Sequence, residues 1–483
     1  MTKQQTRWSQ FGVLITVFFF WGFVAASNDI LIPVFKKAFN LTQVESQWVS
    51  NAFYIAYAVG SAIYFLYSKI SGADLLNRIG YKNGICLGLV ISALGTLLFI
   101  PAANLGSFPL MLSGLFVVAL GFSLQQIAAN PLAIVMGDPS TGAQRLNMAG
   151  GVNNFGTTIG PLLVSYAIFG SATASNATAN IGNVKTPYLF LGAAFLIVAA
   201  ILKFSSVPNK LDLDKVAEEE AEDASKLIHR HSVFAYPQLV LGMLAIFLYV
   251  GVEVSTAGNL PAYLEHNLNV QTSQVAPFIS LFWASLMMGR WTGIPGVLGA
   301  KGTLQKALIL LFPFLAFGVY LAVNAIAQRD TSQFHLYVIP IAIMAVTALA
   351  SHGNPARMLL YFAVLGLVAL AVGMLTSGML SALAFVCGGL ACSVMWPCIF
   401  TLAITGLGRH TGTGSSFLIM MIMGGGLVSM FQGWLSEHIG IQLSYLVGFC
   451  CFAYLAFYSW FAAKQIKAQG IDLEKVAAGA GGH

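Results

Sequence analysis

Apolar runs about as long as a bilayer core is thick follow one another along almost the whole chain, separated by short polar connectors. Runs of about 20 residues are the signature of membrane-spanning helices; a spanning barrel would show alternating segments of about ten. In lipid every backbone polar group needs an internal partner, so no other spanning structures are available. The pattern predicts spans at 11–34, 46–70, 81–101, 108–136, 145–170 and 187–207. A hydrophilic stretch, roughly 208–235, follows with Glu218, Glu219, Glu220, Glu222 and Asp223, then His229, Arg230 and His231. Spans resume at 237–263, 273–299, 304–326, 335–350, 358–376, 379–405, 412–434 and 443–463. The run 335–350 is short for a core of about 30 Å, which leaves a re-entrant segment open.

Composition agrees. The chain of 483 residues is 57% hydrophobic and 8% charged, against about 25% charged in a soluble domain. That excludes a soluble globule, a disordered chain and a coiled coil. The net charge of +6 comes with no basic cluster, so nucleic acid is not an expected partner; the lipid bilayer is. Cys86, Cys387, Cys392, Cys398, Cys450 and Cys451 all lie in apolar runs without metal-ligand spacing and read as packing residues. Lys3 and Arg7 precede a run from Phe11 that passes Val24 without a small-residue cleavage site, which predicts a retained first span.

Placing the N-terminus in the cytoplasm puts all but Lys36, Lys37, Lys185 and Arg329 of the 23 basic residues on that side or in cytoplasmic helix ends, Arg145 and Arg290 included. The C-terminus is then cytoplasmic too. The same count requires 304–326 and 335–350 to enter as a pair, since a single crossing would invert everything after it.

Six spans, a charged linker and a second helical set predict an internally duplicated transporter. The fourth span carries Asn130-Pro131 and the third from last carries Trp396-Pro397 at similar depth. Proline frees a carbonyl and bends a helix, so matching prolines are what a repeat predicts. The loop Gly72-Ala73-Asp74-Leu75-Leu76-Asn77-Arg78-Ile79-Gly80-Tyr81-Lys82 resembles the loop signature of the major facilitator superfamily, with Asn77 at the usual Asp and Ala73 at the usual first Gly. Longer stretches are more specific: Trp21–Phe39 (WGFVAASNDILIPVFKKAF), Ala128–Gly160, Tyr249–Val254 (YVGVEV), Gly289–Gly293 (GRWTG) and Pro397–Gly433. Together they resemble the fucose permease and glucose/galactose transporter branch of that superfamily, over most of the chain and in the expected order.

The resemblance implies an all-α polytopic membrane protein with two six-helix bundles. The stretch from about Lys301 to Ser351 has no counterpart in the usual twelve spans and reads as an inserted helical hairpin, giving about fourteen. The expected organisation is an N-terminal bundle at 1–207, a cytoplasmic linker at 208–236, a C-terminal bundle at 237–465 containing the hairpin 301–351, and a tail at 466–483.

Acids inside spans are costly, so each is a functional candidate. Outside loops and helix ends only Asp29 and Glu253 remain of the 17. The family pattern implies a part for Asp29, in its N-D-I-L stretch, in proton coupling and sugar access; a solvated acid near the outer interface is the alternative. Glu253 could bind a proton or sodium, accept hydrogen bonds from sugar hydroxyls, or simply bond a neighbouring helix. Gln126 stands where the fucose permease pattern has a Glu. An amide carries no proton but bonds hydroxyls well, which keeps sodium coupling open beside proton coupling. Gln125, Asn130, Asn153 (the family's sugar-contacting polar position), Asn154, Asn259 and Gln432 add amides, and Trp396 can stack on a sugar face. An intramembrane amide can equally serve an interhelical hydrogen bond. Gly150-Gly151 and Gly424-Gly425-Gly426 predict close backbone approach between helices.

The reading is a monomeric plasma-membrane transporter, of the inner membrane if bacterial, taking up a neutral hexose by cation symport and alternating access, without a cofactor. Sugar uniport, an N-acetylhexosamine substrate and a non-transporting sugar receptor are the alternatives. No metal cluster, nucleophile–His–acid set or phosphate-binding loop points to an enzyme.

Overall fold

Each predicted apolar run becomes a helix. The computed structural model describes residues 6–39, 43–138, 141–169, 185–211 and 231–474, and no strand occurs among them. The first set is α1 (Trp8–Ala38), α2 (Gln43–Ser71), α3 (Tyr81–Leu97, continuing as Phe99–Leu105), α4 (Phe108–Val135), α5 (Gly142–Phe169) and α6 (Lys185–Phe204). The second is α7 (Pro237–Leu268), α8 (Thr272–Arg290), α9 (Gly302–Ile326), α10 (Val338–Ala350), α11 (Pro355–Leu375), α12 (Gly378–Cys392, then Met395–Ile404), α13 (Thr411–Met420, then Gly424–Ile439) and α14 (Leu446–Ala468). Observed ends lie within about five residues of those read from hydropathy, except that the span read as 273–299 stops as α8 at Arg290 and continues as the 3₁₀ turn Trp291–Gly293 and the short helix Ile294–Val297. Two of the helix starts are fixed by capping side chains. Ser107 caps α4 through the Leu110 N–H, and Asn354 caps α11 through the Ala356 and Arg357 N–H groups. The acidic run within 212–230, and the tail after 474, lie outside the described residues.

Ten helices among the described residues are long and apolar enough to cross a membrane. One of them is Ser332–Ala350, whose 3₁₀ turn Ser332–Tyr337 adds the length that its α-helical part lacks. Their lateral faces keep large apolar side chains exposed, Phe190, Ile197, Phe204 and Leu375 among them. Water would penalise that surface and lipid does not.

The first six helices pack mainly on one another, α1 against α5 and α3 against α4 and α6, and the rest pack mainly among themselves. Helices in lipid gain little from apolar burial against each other, so small residues set the crossings. A Cβ on Gly121 would lie 2.3 Å from the Gly88 carbonyl oxygen, so α3 and α4 touch backbone to backbone. The hairpin α9–α10 docks on α8 through hydroxyls and amides: Tyr320 donates to the Pro277 carbonyl (3.2 Å), Asn324 to Ser280 (3.2 Å), and Tyr337 pairs with Ser285 (2.8 Å).

Contacts between the two sets come from α2 and α4 on α13, and from α5 on α8 and α12. Several lie on the face where the described chain ends sit. The Arg7 N–H meets the Met136 carbonyl there, beside the turn between α4 and α5.

Candidate functional site

The arrangement begins with Glu253, near the middle of the 32-residue α7. Tyr249 lies one turn earlier on the same helix face, and its hydroxyl donates to the Glu253 carboxylate. Arg290, the last residue of α8, donates from Nη2 to the Tyr249 oxygen (3.4 Å). Its Nη1 donates to the Gly150 carbonyl of α5 (3.2 Å) and its Nε to the Ser393 carbonyl of α12 (3.0 Å). One carboxylate is therefore tied, through a single hydroxyl, to a guanidinium that grips both helical sets.

Local sequence explains each contact. Ser393 precedes Pro397 by four residues, and proline has no N–H to give it. The helix breaks between Cys392 and Met395, and Arg290 takes the freed carbonyl. Gly150 and Gly151 make the approach possible: a Cβ on Gly150 would lie 2.9 Å from Arg290 Nη1, and one on Gly151 would lie 2.9 Å from the Trp291 ring. Trp396, beside the same proline, sits with its ring centroid 6.2 Å from that of Tyr249 and stacks on Phe400.

The amides of the first set are placed differently. Gln125 is fully buried, accepts from Trp21 Nε1 (2.7 Å) and donates to Ser92 (3.0 Å), so protein partners already engage its amide at both ends. Gln126 is half-buried and donates to the Tyr57 hydroxyl (2.8 Å). Asn153 donates to the Phe18 carbonyl of α1 (3.0 Å), and Asn259 turns back on the Ser255 carbonyl of its own helix (2.8 Å). Asn130 Nδ2, Asn154 Oδ1 and Gln432 Oε1 are buried with no hydrogen-bond partner among the described residues. Unmet buried polar atoms of this kind are costly without a ligand or water. Gln432 also donates to Ser444 within the second set (3.4 Å), so it sits apart from Glu253 and Trp396 in the hydrogen-bond network. Asp29 lies on the α1 helix, and its side chain falls outside the described residues.

Two participants escaped the sequence reading. The bias of positive charge reads Arg290 only as a helix-end residue; it does end α8, but it is 8% exposed and at the centre of the network. Arg145 is likewise fully buried and donates to the Ala133, Ile134 and Asp138 carbonyls and to Thr141, closing the C-terminal end of α4 as a cation does well. The available signal for Arg290 was its setting, an arginine between two glycines in GRWTG.

A second link joins the sets near the chain ends. Asp74 caps the short helix Leu75–Ile79 through the Leu76 N–H (2.9 Å), and accepts from Tyr64 (2.5 Å) and from Thr413 of α13 (2.7 Å). Asn77, at the position where the loop signature has its usual acid, donates to the Arg409 carbonyl (3.3 Å). The acid is thus supplied three residues earlier. Ser415 donates to the Ile127 carbonyl (2.9 Å), which Pro131 leaves without its helical partner.

Comparison with known proteins agrees with this architecture. The chain is 32% identical over 453 residues to the glucose/galactose transporter of Brucella abortus, covering 93% of each. It is 26% identical over 471 residues to the L-fucose-proton symporter of Escherichia coli, covering 94% of this chain and 93% of that one. The crystal structure of the E. coli fucose:proton symporter superposes with a TM-score of 0.69 at 24% identity, over 94% of this chain and 98% of that one, which shows the shared fold. The family model of the Major Facilitator Superfamily matches residues 11–354. With its helical sets, matched prolines and multiple apolar spans, the chain is a multi-pass membrane protein that belongs to the Major Facilitator Superfamily, a family of transporters and not of enzymes.

Proposed function

We propose that this protein takes up a neutral hexose by proton symport and alternating access, with sugar bound between an N-terminal and a C-terminal bundle. The observation that carries the reading is the Glu253–Tyr249–Arg290 network, which connects an intramembrane acid to backbone of both sets beside Trp396. Protonating Glu253 removes the charge that Tyr249 and Arg290 serve, and so changes the cost of separating the sets at Gly150. Trp396 offers a face for the sugar ring, while Asn130 and Asn154 hold unmet atoms suited to hydroxyls. The names of the relatives, a glucose/galactose transporter and a fucose-proton symporter, support a hexose and a proton.

In this reading the bundles are 1–207 and 237–465, joined by the linker 208–236, and the face bearing Arg7 and Glu474 is cytoplasmic. Asp29 acts with Glu253 in coupling. The test is counterflow and accumulation of labelled hexose in proteoliposomes, with pH and sodium varied independently. Proton symport predicts accumulation that follows the pH gradient and ignores sodium. Glu253→Gln and Asp29→Asn should each retain exchange and lose accumulation. If both variants still concentrate sugar, the coupling assignment fails; if counterflow is absent for every hexose, the transport assignment fails.

A further inference from the structure

A cavity of about 490 Å³ lies beside the hairpin α9–α10, against the first turns of α5, on the face where both described chain ends sit. That volume falls within the roughly 300–1,000 Å³ of small-molecule pockets. Its walls come from separate parts of the chain. The first set supplies Gln144 and Asn147. The hairpin supplies Lys306 from α9 and His352 from the turn after α10. Arg357 comes from α11, and the C-terminal tail reaches the cavity with Glu474.

The polar inventory is one-sided. Lys306, Arg357 and His352 bring basic groups, and Glu474 is the acid that answers them, accepting from Arg357 Nη2 at 2.6 Å. Arg357 and Glu474 are 40% and 67% exposed, and so open an ion pair contributes little and is readily exchanged. On the α5 wall, Asn147 is only 4% exposed and its Oδ1 has no hydrogen-bond partner among the described residues; Gln144 Oε1 is also buried without one there. A hydroxyl both donates and accepts, so it satisfies these amides in either orientation.

We propose that this cavity is a regulatory site for a soluble phosphate monoester of a polyol about the size of a hexose phosphate. The phosphate takes Lys306, Arg357 and His352 in place of the Glu474 carboxylate. The hydroxyls meet Gln144 and Asn147. Arginine and lysine recognise phosphate by charge-assisted hydrogen bonds, and displacing a built-in carboxylate makes the C-terminal tail a competitor for the site.

The consequence follows from the walls. Gln144 is seated on glycines of the second set: a Cβ on Gly296 would lie 1.9 Å from its Oε1, and one on Gly353 would lie 3.0 Å from its Nε2. The cavity therefore exists only while the two sets meet on this face. A ligand that binds it favours that arrangement over the one in which they part. In a transporter this slows turnover. For the consequence, though not for binding, the proposal rests on the hexose-uptake reading. The reaction that supplies the ligand would be phosphorylation of the delivered sugar, so the site would report its accumulation.

The test uses the full-length protein in detergent with hexose 6-phosphate as probe, and inorganic phosphate and free hexose as references. Calorimetry should show saturable binding of the ester, at least tenfold tighter than inorganic phosphate. Lys306→Gln with Arg357→Gln should weaken it tenfold or more, and Glu474→Gln should tighten it several-fold. In proteoliposomes of zwitterionic lipid, the ester on the chain-end face should slow hexose counterflow. Absence of ester binding, indifference to both sets of substitutions, equal binding of inorganic phosphate, or a response to phosphatidylglycerol alone would each overturn the proposal. Hexose counterflow unaffected by the ester sinks this inference and leaves transport standing. Ester binding without any counterflow does the reverse.

Discussion

Replacing Arg290 by Met keeps an unbranched apolar stem and deletes the guanidinium. Three hydrogen bonds go with it, and they do different work. The bond to the Ser393 carbonyl lies within the second set and is present however the sets are turned. Pro397 provides no N–H for that carbonyl, so removing Arg290 leaves it buried and unpaired at about 1–3 kcal/mol. The bond to the Gly150 carbonyl crosses between the sets and exists only while they are apposed. A hydrogen bond to a charged group contributes about 1.5–3 kcal/mol, so its loss should shift the balance of conformers roughly ten- to hundredfold away from this arrangement. Thermal unfolding in detergent reads the first effect. The second is read by alkylation of Ser415→Cys with a soluble maleimide, in a background without the native cysteines, because Ser415 is fully buried here against Ile127 of the first set. Arg290→Lys should rescue little, since one ammonium cannot serve both carbonyls. Adding Pro397→Ala to Arg290→Met restores an N–H for Ser393 and should recover thermal stability without recovering the alkylation pattern. If Arg290→Met alkylates at the wild-type rate, or if Pro397→Ala brings no recovery of stability, the separation of the two bonds is wrong.

Other outcomes follow from the same geometry. Tyr249→Phe removes the hydroxyl between Glu253 and Arg290, so accumulation of hexose should fall at least tenfold while counterflow is better preserved. Asp74→Asn and Thr413→Val should each loosen the link near the chain ends, and a double-mutant cycle read by the same alkylation should give a coupling of about 1–3 kcal/mol. Gly150→Val places a branched side chain where a Cβ alone already lies 2.9 Å from Arg290 Nη1, and transport should be lost with the protein still inserted. Tyr337→Phe removes the bond from the hairpin to Ser285 and should cost about 1 kcal/mol of stability, seen as a lower thermal midpoint with counterflow intact.

Hydropathy alone determined the helices of this protein, their order and nearly their ends, because a spanning segment must satisfy lipid along its own length. It also singled out Glu253, since an acid in such a run is conspicuous against its neighbours, and it paired Pro131 with Pro397. What the prolines release was not legible: the Ile127 and Ser393 carbonyls find Ser415 and Arg290, residues far away in sequence. The same holds for the amides. Gln125 and Asn154 look alike in the sequence, yet one is bonded at both ends and the other keeps an unmet oxygen, because only packing decides which neighbours arrive. Arg290 shows the limit best. One-dimensional charge bias reads an arginine at a helix end as a marker of the cytoplasmic side. Only when α5 closes on α8 across Gly150 does the same arginine become a buried tie between two halves of the molecule. Composition and periodicity are properties of single helices in lipid, and the site is a property of how the helices meet.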